Sequence, residues 1–341
     1  MEIIKETKIL TPTELEIAAD LLQSGQLVAF PTETVYGLGA DALNSEAVSN
    51  IFAAKGRPVD NPLIVHIAEF DALESLITGQ LPTAAQQLIE EFWPGPLTVV
   101  LPKHDRVPAV TTGGLETIAV RMPAHPLAQQ LIAQAEMPVA APSANLSGRP
   151  SPTLAQHVID DLAGRIEAVV DGGQTGIGVE STVVDCSQEV PTLLRPGNVT
   201  YGELKKVLGQ VEVDDGVAAE MTTDQPLAPG MKYKHYSPQT EVILVEGTAD
   251  QIADKIKQLI ANQEEKLGIM ATSEHVGHYK NCLVKDMGSR DDLREISNHI
   301  FKLLREFDRA DVNKIVVEGV SDSGLGLAIM NRLRKAAERI I

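Results

Sequence analysis

Leu27-Val-Ala-Phe-Pro-Thr-Glu-Thr-Val-Tyr-Gly-Leu-Gly-Ala-Asp-Ala42 and, shortly after it, Lys55-Gly-Arg-Pro-Val-Asp-Asn-Pro-Leu-Ile-Val-His66 are the stretches on which the reading of this chain turns. The apolar runs 27–30 and 63–67 read as buried strands. Between them lie hydroxyls, a Gly-Leu-Gly segment expected to form a turn, a lysine and an arginine. Packing does not need that mixture. A site for a phosphorylated, oxygen-rich ligand does, because arginine meets phosphate as a planar fork and lysine as a point charge.

Working outward, strand and helix signals alternate. Strands are expected near 27–30, 63–67, 97–101, 117–121, 138–141, 168–170, 181–185 and 192–195, and helices near 45–55, 83–92, 126–135, 153–160 and 200–208. A first helix is expected from Thr11, with Pro12 at its first position, Glu14 completing a capping box, and Gly25 closing it. Several strands between 168 and 195 follow one another without a helix, so the first domain is an α/β fold with a twisted mixed sheet. Prolines 226, 229 and 238 mark a linker over 209–240. Beyond it, strands at 241–245, 267–270, 281–285 and 313–317 alternate with helices at 249–262, 291–308 and 325–339, the pattern of a smaller Rossmann-like α/β domain. The expected organisation is therefore a catalytic domain 1–208, a linker or lid 209–240, and a C-terminal domain 241–341, and the length of 341 residues agrees with two cores.

Composition excludes several classes. A formal charge of -18 opposes coating nucleic acid or an anionic membrane. The two cysteines, Cys186 and Cys282, match no zinc spacing and suit a reducing compartment. The opening Met1-Glu-Ile-Ile-Lys-Glu-Thr-Lys8 resembles no leader, and no apolar run reaches the roughly 18 residues of a membrane span, so a cytoplasmic location is expected. No P-loop and no Gly-x-Ser-x-Gly elbow occurs. Gly37-Leu-Gly39 has the outline of a dinucleotide fingerprint, but the hydroxyl-rich segment before it separates it from its strand. Gly324-Leu-Gly326 reads as a turn into a helix. His275 and His278 are expected in a solvated polar loop, Asp160-Asp161 at a charged helix end, and Trp93 in core or turn packing.

Four segments concentrate chemistry. Lys55-Gly-Arg57 is followed by Asn61 and His66; Arg121 ends an apolar strand; Ala140-Ala-Pro-Ser-Ala-Asn-Leu-Ser-Gly148 puts small residues and hydroxyls where a strand stops; and Gly172-Gly-Gln-Thr-Gly-Ile-Gly-Val-Glu-Ser-Thr182 does the same before another strand, with Arg195 beyond. Four cations among hydroxyl and amide donors suit a triphosphate together with a carboxylate.

These runs carry a resemblance. Pro31-Thr-Glu-Thr-Val-Tyr-Gly-Leu38, Lys55-Gly-Arg-Pro58, Asn61-Pro-Leu63, Trp93-Pro-Gly-Pro-Leu-Thr98, Arg121-Met-Pro123, Pro142-Ser-Ala-Asn-Leu-Ser-Gly148 and Glu180-Ser-Thr-Val183 resemble the YrdC family, and the segment ending in Gly324-Leu-Gly-Leu-Ala-Ile-Met-Asn-Arg-Leu-Arg-Lys-Ala-Ala337 resembles the extra domain of its long form. The resemblance implies an enzyme that condenses L-threonine, bicarbonate or CO2, and ATP, with Mg2+, into threonylcarbamoyl-adenylate and pyrophosphate. A separate tRNA threonylcarbamoyltransferase would then use the product at adenosine 37 of tRNA. By the family's motifs, Lys55, Arg57, Ser143 and Asn145 form a catalytic quartet. ATP falls to Arg57, Asn61, Thr117, Ser143, Ser151, Arg195 and the linker's Tyr236, and threonine to Thr34, His66, Arg121, Ala141 and Ser181. Two rival classes remain open: an RNA-binding module, which the net charge disfavours, and a different carbamoylating or adenylating enzyme that keeps the phosphate residues and changes those around Thr34, His66 and Ser181.

Overall fold

In the computed structural model, which describes residues 6–218, 236–262 and 265–341, the apolar runs become the strands of two separate sheets. The described residues group into two units: one drawn from 1–147, 151–176 and 180–233, the other from 148–150, 177–179 and 234–341.

The first unit runs β1 (Lys8–Leu10), α1 (Leu15–Gln23), β2 (Val28–Pro31), β3 (Tyr36–Asp41), α2 (Ser45–Lys55), β4 (Ile64–His66), α3 (Thr83–Phe92), β5 (Leu97–Pro102), α4 (Ala109–Thr112), β6 (Thr117–Arg121), α5 (Pro126–Ala135) and β7 (Val139–Ala140). It continues through α6 (Ala155–Leu162), β8 (Ala168–Val170), β9 (Thr182–Asp185), β10 (Thr192–Arg195), α7 (Tyr201–Leu208), β11 (Glu212–Val213) and α8 (Asp215–Ala218). Its eleven strands form one sheet in the order β1-β8-β2-β3-β7-β4-β6-β5-β9-β10-β11. Pairing is mixed: β4 is parallel to β6 and β5 to β9, while β2–β3, β3–β7, β4–β7, β5–β6 and β9–β10 are antiparallel.

Alternation along the strands sends side chains into different cores. Ala29, Leu38, Ala40, Val65, Val99, Leu101 and Val120 join a large core with α2 and α3, whereas Val28, Phe30, Val139 and Ala168 pack on the other face with α1 and α5. That second face continues over β4, β6, β5 and β9 as a small apolar cluster, Ile64, Ala119, Val100 and Val183, joined by Leu194. Residues two positions away point the same way. His66, Thr117, Arg121, Thr98 and Ser181 therefore share this face, and the site is built on it.

Two local expectations are corrected. Gly37 and Gly39 do not form a turn; they lie inside β3, paired with Phe30 and Val28. A side chain has no room there, since a Cβ at Gly39 would sit 2.8 Å from Phe30 Cε1 and 3.0 Å from Val139 Cγ1. The helix expected from Thr11 starts three residues later, because Thr11 and Glu14 bond to each other around a turn that precedes α1: the Thr11 amide and hydroxyl donate to Glu14 Oε2 at 2.8 and 2.7 Å. Gly25, at φ 76°, closes the helix as expected. Asp161 does lie near the end of α6 but is buried and accepts the Leu146 amide at 3.2 Å. Trp93 packs against the main core and donates to the Leu97 carbonyl at 2.8 Å.

The second unit contains β12 (Glu241–Val245), α9 (Ala249–Asn262), β13 (Leu267–Ala271), β14 (Leu283–Asp286), α10 (Leu293–Phe307), β15 (Lys314–Glu318), α11 (Leu325–Ala336) and β16 (Arg339–Ile340). Its sheet, β14-β13-β15-β12-β16, is parallel throughout, as the strand–helix alternation implies. His278 is exposed, but His275 is buried and held to Glu318, so the solvated loop expected there is only partly so. No described helix is long and apolar enough to cross a membrane.

Candidate active site

Arg121 organises one end of the site. It ends β6 beside His66 on β4, through the register His66↔Arg121, and is 3% exposed. Its Nε donates to the Gly95 carbonyl at 3.2 Å and its Nη1 to Thr34 Oγ1 at 3.0 Å. Thr34 stands in the turn of the β2–β3 hairpin, where Thr32 steadies it: the two hydroxyls are 2.8 Å apart and Thr32 donates to the Val35 carbonyl at 2.7 Å. Glu33 Oε1, from the same turn, approaches Arg121 Nη2 to 2.6 Å.

His66 is buried, and burial, reinforced by the Arg121 charge, pushes its pKa down to about 3. It is therefore a neutral imidazole at physiological pH, and its Nδ1 has no hydrogen-bond partner among the described residues. Ala141 follows β7 and its amide donates to the Ile64 carbonyl at 2.9 Å, which sets the small residue next to β4. On the far side of β6, Ser181 Oγ lies 2.8 Å from Thr98 Oγ1 and accepts from Arg195 Nη2 at 3.1 Å, while Arg195 Nε donates to the Ser181 carbonyl at 3.0 Å. Ser181 thus links Thr98 to Arg195, between the residues expected at the amino acid and those expected at the nucleotide.

The other end is built from the start of β4 and β6. Ala119 pairs with Ile64, so Thr117, two residues before it on β6, lies toward the end of β4 that Asn61 and Pro62 precede. Arg57 Nη2 donates to the Pro62 carbonyl at 3.3 Å. It leaves α2 through Gly56, whose φ of 62° ends the helix. Asn61 is fully buried, yet neither its amide nitrogen nor its oxygen has a partner among the described residues. A buried amide left this way is costly, and such groups in a folded protein point to a ligand or ordered water. Thr117 stands four residues from Arg121 along the strand, roughly 13 Å, so the structure assigns it to this end.

Lys55 and the 143–145 turn meet directly. The Lys55 ammonium, 2% exposed, donates to the Ser143 carbonyl and to the Asn145 carbonyl, the latter at 2.6 Å. The turn is also fastened to β3, where the Leu38 amide reaches the Pro142 carbonyl and the Ala144 amide the Tyr36 carbonyl, each at 2.8 Å. Ser151 is buried with its hydroxyl on Glu180. Tyr236 belongs to the second unit, where its ring stacks on Phe301 at 5.1 Å with the Arg332 guanidinium 5.8 Å from its centroid.

Sequence reasoning passed over Glu33, Thr98 and Glu180 although all three sit in the motifs. Thr98 carried a usable signal, a hydroxyl in the otherwise apolar Leu97-Thr-Val-Val-Leu101 on the face shared by Arg121. Glu33 and Glu180 carried none, because their partners are 88 and 29 residues away.

A two-unit α/β enzyme is thus defined, with a buried arginine set among Thr34, Glu33 and His66 at one end of a strand pair and buried amide and cationic groups at the other. The Sua5–YciO–YrdC model, described as "Telomere recombination", matches residues 20–197, and that of the threonylcarbamoyl-AMP synthase C-terminal domain matches 199–338. The threonylcarbamoyl-AMP synthase of Pyrococcus abyssi is 52% identical over 95% of this chain and 94% of its own length; that of Bacillus subtilis is 50% identical over 94% and 92%. A crystal structure of P. abyssi Sua5 complexed with L-threonine superposes with a TM-score of 0.93 at 51% identity, covering 98% of this chain and 99% of that one. The chain belongs to the Sua5–YciO–YrdC family, in its two-domain threonylcarbamoyl-AMP synthase form.

Proposed function

We propose that this enzyme condenses L-threonine, CO2 or bicarbonate, and ATP into threonylcarbamoyl-adenylate and pyrophosphate. The observation that carries the reading is the pairing of two ends on one sheet face: buried Arg121 with Thr34, His66 and Ser181 at one, and the partnerless Asn61 amide with Arg57 and Thr117 at the other. The first end suits an amino acid and the second a nucleotide. Ser181 and Arg195, hydrogen-bonded to each other, lie where the two substrates would meet.

In this reading the threonine amine attacks CO2, and the carbamate oxygen attacks the α-phosphorus of ATP, expelling pyrophosphate. No covalent enzyme intermediate is needed. Arg57 and Arg195 neutralise phosphate charge, Asn61, Thr117 and Ser151 hold the nucleotide, and Ala141 leaves room for the amino acid. Lys55 serves at least by fixing the Ser143–Asn145 turn through its two carbonyl contacts. Mg2+ would come with ATP as part of the substrate and would help neutralise its phosphate charge. The two ends of the segment expected as a lid, 209–240, are held in different units, β11 paired to β10 in the first and Tyr236 stacked on Phe301 in the second. Residues 219–235 lie outside the described residues. The product would pass to a cytoplasmic tRNA threonylcarbamoyltransferase, and the charge of -18 favours that over RNA binding by this chain itself.

The test supplies ATP, bicarbonate and threonine and looks by mass for the adenylate and pyrophosphate. Both are expected, and both vanish without threonine. Turnover that persists with threonine omitted, or that follows another amino acid instead, would overturn the assignment.

A further inference from the structure

Resting on that reading, we propose that Glu33 recognises the ammonium group of the amino-acid substrate and so makes the pocket selective for a zwitterion. Glu33 sits in the β2–β3 turn beside Thr34, and its side chain is 15% exposed. Its Oε1 is 2.6 Å from Arg121 Nη2, close enough for an ion pair. The atoms are not aligned for a hydrogen bond, and neither Glu33 oxygen nor Arg121 Nη2 is hydrogen-bonded to any described residue. The other two Arg121 donors are engaged, Nε by Gly95 and Nη1 by Thr34.

Beyond this ion pair the groups keep hydrogen-bonding capacity that forms a set. Arg121 Nη2 is a donor and Glu33 Oε1 and Oε2 are acceptors, and the neutral His66 leaves its Nδ1 without a partner among the described residues. An α-amino acid brings the complement, a carboxylate that accepts and an ammonium with three donors. A carboxylate placed at Arg121 Nη2 arrives beside Glu33, and a lone anion there would meet repulsion from the Glu33 charge. A zwitterion does not, because its ammonium faces the Glu33 oxygens. Glu33 thereby favours the amino acid and disfavours a simple hydroxy acid, and selectivity of this kind comes from the group that repels the wrong ligand as much as from the one that holds the right ligand. A carboxylate also offers a nearby acceptor for the proton that the ammonium must lose before its nitrogen can attack CO2.

Calorimetric binding without ATP tests this, using L-threonine and 2,3-dihydroxybutanoate, its analogue with hydroxyl in place of ammonium. The wild-type protein should prefer threonine at least tenfold. In Glu33→Gln, confirmed folded by its circular dichroism, threonine should weaken at least tenfold while the analogue holds or tightens. Equal binding of the two ligands by the wild type would overturn the proposal without needing the variant. Threonine binding that is unchanged or tighter in Glu33→Gln would also overturn it, and would mean that Glu33 merely occupies Arg121 until a carboxylate displaces it. A wild-type protein that binds no threonine would instead overturn the functional reading on which the proposal rests.

Discussion

The Lys55 ammonium donates to the Asn145 carbonyl at 2.6 Å, tying the last residue of α2 to a turn 90 residues further along the chain. With its second bond to Ser143, this makes the lysine a structural member of the site whatever it does to phosphate.

Lys55→Met should therefore harm both stability and activity. The methionine can fill the buried volume but leaves two carbonyl oxygens without their donor, at about 1–3 kcal/mol for a buried group stripped of its partner. The turn carrying Ser143 and Asn145 would lose its register against the nucleotide, and turnover should fall more than about tenfold, since small displacements of positioning groups are expensive in rate. Urea denaturation and steady-state turnover measure the two effects. Unchanged turnover would remove Lys55 and its turn from the catalytic machinery.

Gly39→Ala tests the packing of β3. Its Cβ would meet Phe30 Cε1 at 2.8 Å, Val139 Cγ1 at 3.0 Å and the Val28 carbonyl at 3.2 Å, and overpacking a buried strand costs typically about 1–3 kcal/mol. Phe30 and Val139 lie in the core behind the hairpin that carries Thr34. A lowered denaturation midpoint is expected. A variant as stable as the wild type would show that the site tolerates a methyl and that the glycine answers some other need.

The same strand shows where sequence was a partial guide. Regular elements with strong apolar periodicity, such as α3, β5, β6 and, in the second unit, β12, β13, β14 and β15, fall within a few residues of their expected positions, because a buried face leaves a period in the sequence. β3 leaves a misleading trace. Gly39 is required by a neighbouring aromatic ring, which no local rule records. β1, β11 and β16 are strands of two or three residues whose pairing partners are distant in sequence. Arg121, His66 and Ser181 stood out as polar residues at the ends of apolar strands. Glu33, Thr98 and the carbonyl partners of Lys55 matter through contacts that only folding creates.

His66 sets a pH dependence. Its folded pKa, about 3, lies below the ordinary histidine value near 6.5, so between these limits the unfolded chain binds the proton and the folded one does not. Stability from this group is fully present above about pH 6.5 and is lost as pH falls toward 3, with a slope of at most about 1.4 kcal/mol per pH unit. Subtracting the stability profile of His66→Gln from that of the wild type should isolate this slope from the carboxylates. Urea midpoints at pH 4.5, 5.5, 6.5 and 7.5 suffice. A flat difference profile would show that the imidazole is accessible and titrates normally.

Glu318 is the corresponding buried centre of the second unit. It ends β15 with no exposed surface and accepts from Arg290 Nη2 at 2.8 Å, Thr272 Oγ1 at 2.8 Å and the Tyr279 hydroxyl, with His275 Nδ1 at 3.0 Å. Arg290 also reaches the Thr272 hydroxyl at 3.2 Å and the Gly319 carbonyl at 3.0 Å, so the ends of β13 and β15 are bound through one carboxylate. Removing one member of a buried, hydrogen-bonded charge pair costs about 3–5 kcal/mol, because the remaining charge loses its partner without regaining water. Glu318→Ala should lower the stability of the second unit by that order. Glu318→Gln, which keeps the shape and one of the two acceptor oxygens but not the charge, should cost less. If the two variants were equally stable, the network would be a consequence of the fold rather than a support of it. Hydrogen exchange of the β13 and β15 amides reads the loss locally, apart from any change in the first unit.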